Sequence, residues 1–250
     1  MVESMSLRSL TAVLALCLAA EAFAAGGAAL EHAEIDPDNI ASLQRGARNF
    51  MNYCSGCHSA QYVRFNTIGA DLELSEEQLI DNLMFNAEKT FETIRAAMPA
   101  ADAARWFGTA PPDLSLTARA KTPDYIYTFL KSFYVDPDSP TGVDNTVLAG
   151  TSMPHVLAEL QGLQKGLFTE HEDESGITTQ HFEGFEMISS GSLDAEDFDN
   201  FVRDTVNFLA YIAEPIRSDR RKLGVWVFIY LIVFLVIASM LKKQIWKDVK

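Results

Sequence analysis

Cysteine is scarce in this chain of 250 residues: there are three, Cys17, Cys54 and Cys57. Three cysteines cannot build a disulfide framework, and they leave too few thiolates for a cysteine-ligated zinc site. Positive charge is also short. Lys and Arg number 20 against 34 Asp and Glu, a formal net charge of −14, and such a field repels nucleic acid. The chain has no internal repeat and no low-complexity tract, so it is not a repeat array. Long apolar runs are missing from the interior and occur only near the two ends.

Those ends predict an exported, anchored protein. Arg8, an uncharged run over residues 10–20 and the small residues of Ala22-Phe23-Ala24 read as a secretory signal, residues 1–24. The run is too short to cross a bilayer. Residues 223–241 carry no charge; at about 1.5 Å per residue they reach roughly 28 Å, the thickness of a hydrocarbon core. Arg217, Arg220, Arg221 and Lys222 precede this run and Lys242, Lys243, Lys247 and Lys250 follow it, so flanking charge sets no orientation. The signal does: residues 25–216 are expected outside, 223–241 in the membrane and 242–250 in the cytoplasm. The exported part holds 30 acidic and 11 basic residues, a field that would attract a basic protein partner or keep the domain soluble.

Within that part, apolar spacing predicts helices. Ile40, Leu43, Ala47, Phe50 and Cys54 fall on one face, starting near Asn39. Ser75 and Gln78 form a capping box ahead of Leu79 and Leu83. Thr122-Pro123 opens a helix with Ile126, Phe129, Leu130 and Phe133 inside. A last exported helix runs from about 194 to 212. Residues 135–192 read mostly as loop, with room for a short hairpin. The expected class is therefore mainly α, a domain with long loops plus one C-terminal transmembrane helix.

Cys54-Ser55-Gly56-Cys57-His58 is the attachment signature of c-type haem. Two thiols two residues apart can add to the two vinyl groups on one porphyrin edge, and the adjacent His reaches the iron. Chance would produce this string in roughly 0.0007 chains of this composition. A thioredoxin-type reading needs a βαβ setting that is absent. One haem c is expected, held by Cys54 and Cys57, with His58 as the fifth ligand. The sixth ligand stays open among Met153, Met98, Met187 and His155. Met153 leads because Gly150, Thr151 and Ser152 permit close approach and Pro154 stiffens the loop. Met51 and Met84 read as core filler, and His32, His155, His171 and His181 as solvent-facing.

The chain resembles cytochrome c1 of the quinol–cytochrome c reductase (bc1) complex. The resemblance rests on Arg45-Gly46 ahead of the haem motif, Tyr62-Val63-Arg64-Phe65-Asn66 after it, Pro111-Pro112-Asp113-Leu114-Ser115, Arg119-Ala120, Asp124-Tyr125-Ile126, the Met153 loop, and Ala213-Glu214-Pro215 before the anchor. It implies Met153 as the sixth ligand, in a slightly altered loop with a single Pro154, and Arg119 as a partner of a haem propionate. It also implies Pro111 and Pro112 against the haem edge. As function it implies an electron-transfer subunit of a quinol:cytochrome c oxidoreductase, with no bond-making catalysis by this chain alone. Electrons would come from the Rieske iron–sulfur protein and leave to a soluble or tethered cytochrome c. Cytochrome b would be its neighbour, in a dimeric complex of the bacterial inner membrane with the haem domain on the periplasmic side. Another anchored monohaem cytochrome, serving an oxidase or dehydrogenase, is the alternative; a haem enzyme or gas sensor with an open sixth site is a third.

Overall fold

The computed structural model describes residues 29–172 and 178–248. The expected signal segment with Cys17 lies outside them. The frame is two long helices packed together, α1 (Ile40–Tyr53) and α8 (Ala195–Ala213). Between them in sequence come β1 (Ala60–Arg64), α2 (Phe65–Asp71), α3 (Glu76–Leu83), β2 (Thr93–Ile94), α4 (Ala100–Phe107), α5 (Thr117–Lys121) and α6 (Pro123–Lys131). Then follow β3 (Phe133–Val135), β4 (Val143–Asn145), α7 (Ala158–Gln161), β5 (Gly162–Glu172) and β6 (Thr178–Ser190). The last element, α9 (Arg217–Ile245), is long and apolar enough to cross a membrane, and its side chains are exposed along its length.

Helix α1 starts because Asn39 takes the amide of Ser42 at 3.1 Å, satisfying a donor that the first turn leaves free. Its predicted face is buried: Leu43, Ala47 and Phe50. Phe50 meets Phe208 of α8 with ring centroids 5.8 Å apart. The two backbones come very close at Gly46, where a Cβ would lie 2.0 Å from the Asp204 carbonyl oxygen. Beside that contact runs a polar seam, buried at Ser42, Asn49 and Asp204 and open to solvent at Arg45. Arg45 Nε donates to Asp204 at 2.5 Å, Ser42 Oγ to Asp204 at 2.6 Å, and Asn49 Nδ2 to Thr205 at 3.2 Å. Every buried group in such a seam needs a partner, because stranding one costs about 1–3 kcal/mol. Helix α8 begins as expected, with Asp194 capping Asp197, and its second half is buried on all sides. Tyr211 donates to Asp71 at 2.6 Å, tying α8 to α2; burial first, and then Asp71, push its phenol pKa up.

The capping box at Ser75 forms, with both reciprocal bonds. Thr122 caps α6 through the Tyr125 amide. The stretch expected to be mostly loop differs. Residues 162–172 and 178–190 pair as two long antiparallel strands, β5 against β6, with two register shifts. Alternation failed to reveal them because the buried positions of β5 are Gly162, Gln164 and Gly166, whereas Leu163, Leu167 and Phe168 are exposed. The inner face is small and polar: Gln164 Nε2 donates to the carbonyls of Lys131 at 2.9 Å and Phe133 at 2.8 Å.

Candidate haem site

The end of α1 leads straight into the cysteine motif. Cys54 and Ser55 donate to the Phe50 carbonyl at 2.9 Å each, and Cys57 and His58 donate to the Cys54 carbonyl at 3.0 and 2.8 Å. The motif is thus a tight coil that sets both thiols and the imidazole on one short loop. Ser55, buried within it, anchors the loop by donating to Met51 O at 2.7 Å.

Two distant segments clamp this loop. Residues 96–98 form one: Ala96 N–H donates to Ser59 Oγ at 2.8 Å and Met98 N–H to Gly56 O at 3.0 Å. The other is the Pro111-Pro112-Asp113-Leu114-Ser115 segment. His58 Nδ1 lies 2.8 Å from Pro112 O. A carbonyl only accepts, so Nδ1 carries the proton and Nε2 keeps the lone pair that an iron ligand needs. Burial lowers the His58 pKa, against smaller upward effects of Pro112 and Asp113, and so favours the neutral imidazole. Asp113 holds the segment in place with one oxygen on the Gln61 amide and the other on the Ser115 amide, both at 2.9 Å. Leu114 N–H to Ser59 O at 2.8 Å and Tyr62 N–H to Ser115 Oγ at 3.1 Å complete the clamp. Burial, with Cys57 beside it, pushes the Cys54 thiol up to about 12. Paired thiols next to an imidazole whose Nε2 is left for a metal make a donor set that fits a c-type haem.

Met153 is half-buried and packs against the same hydrophobic cluster as Cys54 and Leu114. Its loop is organised by Asp144, which accepts from Gly150 at 2.7 Å and Thr151 at 3.3 Å, and by Asn145, which is fully buried. Asn145 accepts from Val147 at 2.9 Å and donates to Phe129 O at 2.8 Å. Gly150 has φ +72°, in the left-handed region that glycine enters without strain. The rival Met98 is bound through its own amide to the cysteine loop. Met187 is 52% exposed on β6. Met51 and Met84 lie in the core, as filler would.

His155 corrects an expectation: it is not solvent-facing. Its ring stacks on Phe133, centroids 5.0 Å apart and 6° from parallel, and burial lowers its pKa to about 4. His32 is exposed and meets Asp124 at 3.1 Å. Arg119, on α5, lines a cleft with Glu214, Arg217, Arg220 and Arg221, and its charge acts on Glu214.

Sequence reasoning missed the residues that hold the ligand-bearing loops: Asp113, Ser115, Asp144 and Asn145. The available signal was local. Asp and Asn side chains take amides two positions on, as Asp113 does from Ser115 and Asn145 from Val147.

A sequence profile described as the Cytochrome C1 family matches residues 34–249. Cytochrome c1 of Allochromatium vinosum is 44% identical over 90% of this chain and 91% of its own length. A protein of Nitrosomonas europaea named ammonia monooxygenase gamma subunit is 38% identical over 88% of each chain. A Bradyrhizobium diazoefficiens protein named cytochrome b/c1 is 25% identical over 83% of this chain and 33% of its own.

Proposed function

The chain belongs to the cytochrome c1 family, and from that premise we propose that it is the haem-bearing electron-transfer subunit of a bc1-type complex. The observation that carries the reading is the cysteine loop at the end of α1, with His58 Nδ1 committed to Pro112 O and Nε2 left for iron. Haem c, when bound, supplies a one-electron iron couple.

Cys54 and Cys57 would hold that haem through two thioethers, and His58 would be its fifth ligand. The Pro112–Ser115 segment keeps the imidazole from rotating, and burial keeps it neutral. Met153 is proposed as the sixth ligand. Its loop arrives from far along the sequence, whereas Met98 is tied to the loop that already carries His58. Met/His ligation sets a relatively high potential, as suits a late carrier. Arg119 is proposed to pair with a propionate, a buried carboxylate that needs a guanidinium partner.

In this reading the chain takes one electron from a Rieske iron–sulfur protein and passes it to a soluble or tethered cytochrome c. The relative named cytochrome b/c1 supports cytochrome b as the neighbouring subunit; that the complex is dimeric and stands in the inner membrane is part of the proposal. Residues 1–24 are the signal, 25–216 the periplasmic domain, 223–241 the anchor and 242–250 the cytoplasmic tail.

The name of the Nitrosomonas relative favours a second reading, a subunit of an ammonia-oxidising assembly. Copurification separates the two: cytochrome b and a Rieske protein should travel with this chain in the first case only. The ligand set is tested by Met153→Leu and Met98→Leu in the purified complex. Met153→Leu should keep covalent haem, turn the iron high-spin and lower its potential, with Met98→Leu unchanged. The reverse pattern would move the role to Met98. A reduced spectrum altered by carbon monoxide in the unmutated protein would instead favour a haem enzyme or gas sensor.

A further inference from the structure

Basic residues flank the anchor at both ends, and the electron-transfer reading uses none of those at 217–222. Arg217, Arg220 and Arg221 recur at i, i+3 and i+4, one face of α9. That face closes a cleft of about 240 Å³ with Arg119 of α5 and Glu214 after α8. Its floor is small and apolar, formed by Ala210 and Ala213, both buried. Glu214 is the one acid in the wall, and it takes Arg220 Nε at 2.6 Å. The bond from Arg220, with the charges of Arg119 and Arg217, lowers the Glu214 pKa and keeps the carboxylate ionised. Among the described residues, no carboxylate is ion-paired with Arg119, Arg217 or Arg221. With Arg119 set aside for the haem propionate, the three guanidinia of α9 against one carboxylate leave the cleft with a formal charge of +2.

Its depth is set by the helix. Arg221 and Arg217 precede Leu223, the first residue of the apolar run, by about 3 and 9 Å at 1.5 Å per residue. The headgroup layer on each side of a bilayer is about 5–7 Å thick. The cleft therefore opens into that layer, directly above lipid-facing helix. We propose that it binds the phosphodiester headgroup of an anionic phospholipid. Arg217 and Arg221 take the phosphate oxygens, and the acyl chains lie along α9 below Leu223. Guanidinia match phosphate oxygens in paired hydrogen bonds, and small floor residues leave room for the glycerol backbone. The inference rests on α9 standing in a bilayer, and not on the haem, the redox partners or the side of the membrane.

The test uses the full chain with its haem, stripped of loose lipid in detergent and supplied with phosphatidylglycerol or phosphatidylcholine vesicles. Retained lipid is weighed by native mass spectrometry. Phosphatidylglycerol should be retained and phosphatidylcholine lost. Removing one basic residue near a lipid surface costs roughly fivefold, so Arg217→Gln with Arg221→Gln should weaken retention on the order of 30-fold. The charge-keeping pair Arg217→Lys and Arg221→Lys should lose much less, with the same haem spectrum, which separates the effect from misfolding. Three results would overturn the proposal. Equal loss in a Lys242→Gln and Lys243→Gln control would mean general surface attraction. Displacement of the lipid by millimolar inorganic phosphate would mean a free-anion site. Unchanged lipid, with loss of a copurifying subunit from the Gln pair, would mean that an acidic protein segment fills the cleft. The haem spectrum and subunit content report on the electron-transfer reading separately.

Discussion

Replacing Gly46 by alanine probes the contact on which the frame depends. In an isolated helix the change would be favourable by about 1 kcal/mol, since alanine is the better helix former. In this fold the new Cβ would sit 2.0 Å from Asp204 O and 2.7 Å from Phe208 Cβ. Neither atom belongs to a flexible side-chain end, so α1 and α8 must separate by at least about 1 Å to reach ordinary contact distance. That movement stretches the buried bonds from Ser42 to Asp204 and from Asn49 to Thr205, and the half-exposed one from Arg45 to Asp204. Overpacking costs about 1–3 kcal/mol and each stranded polar group about 1–3 kcal/mol. The balance is a net loss of about 3 kcal/mol, or about 6–12 °C in Tm for a domain of this size. Because α1 runs into Cys54, the haem loop should move with it. Thermal unfolding by circular dichroism measures the first effect and the haem content of the purified protein the second. Gly224→Ala is the internal control: a Cβ there meets nothing within 4 Å, so propensity alone should act and Tm should hold or rise. A Gly46→Ala protein as stable as the unmutated one would refute the close approach.

Other outcomes follow from the same geometry. Asp113→Ala removes both anchors of the segment that holds His58; we expect a loss of about 1–3 kcal/mol and a broadened redox titration, whereas Asp102→Ala on exposed α4 should change neither. Asp124 accepts the Ala33 amide at 2.9 Å, and that bond, opposed by burial and aided by His32, lowers its pKa. A depressed carboxylate stabilises above its unfolded value, about 3.9, and loses that contribution as pH falls through the folded value. The protection of the Ala33 amide against hydrogen exchange, relative to its intrinsic rate at each pH, should therefore fall below about pH 4 and stay flat between pH 5 and 7. Electron transfer to a basic cytochrome c should slow with added salt, because the acidic domain speeds encounter only over a Debye length of about 10 Å at 0.1 M; a rate indifferent to salt at low ionic strength would remove the steering.

What could be read from the chain alone was what short-range chemistry decides. The haem loop is five consecutive residues, the caps at Asn39, Ser75, Thr122 and Asp194 each act within three residues, and the anchor is one unbroken apolar run. Periodicity exposed α1 and α8 because one face of each had to be apolar. Tertiary structure decided everything that joins distant residues. The strand pair of 162–172 with 178–190 hid behind an inner face of Gly162, Gln164 and Gly166, where Gln164 donates to carbonyls at the end of α6 and on β3. His155 looked like a surface histidine until Phe133 covered it. That the Pro112 carbonyl fixes which nitrogen of His58 faces a metal, that Asp144 shapes the Met153 loop, and that Arg119 meets the arginines of α9 all depend on segments brought together from across the chain. Local motifs state which atoms are available; only packing states which of their lone pairs and charges remain unspent.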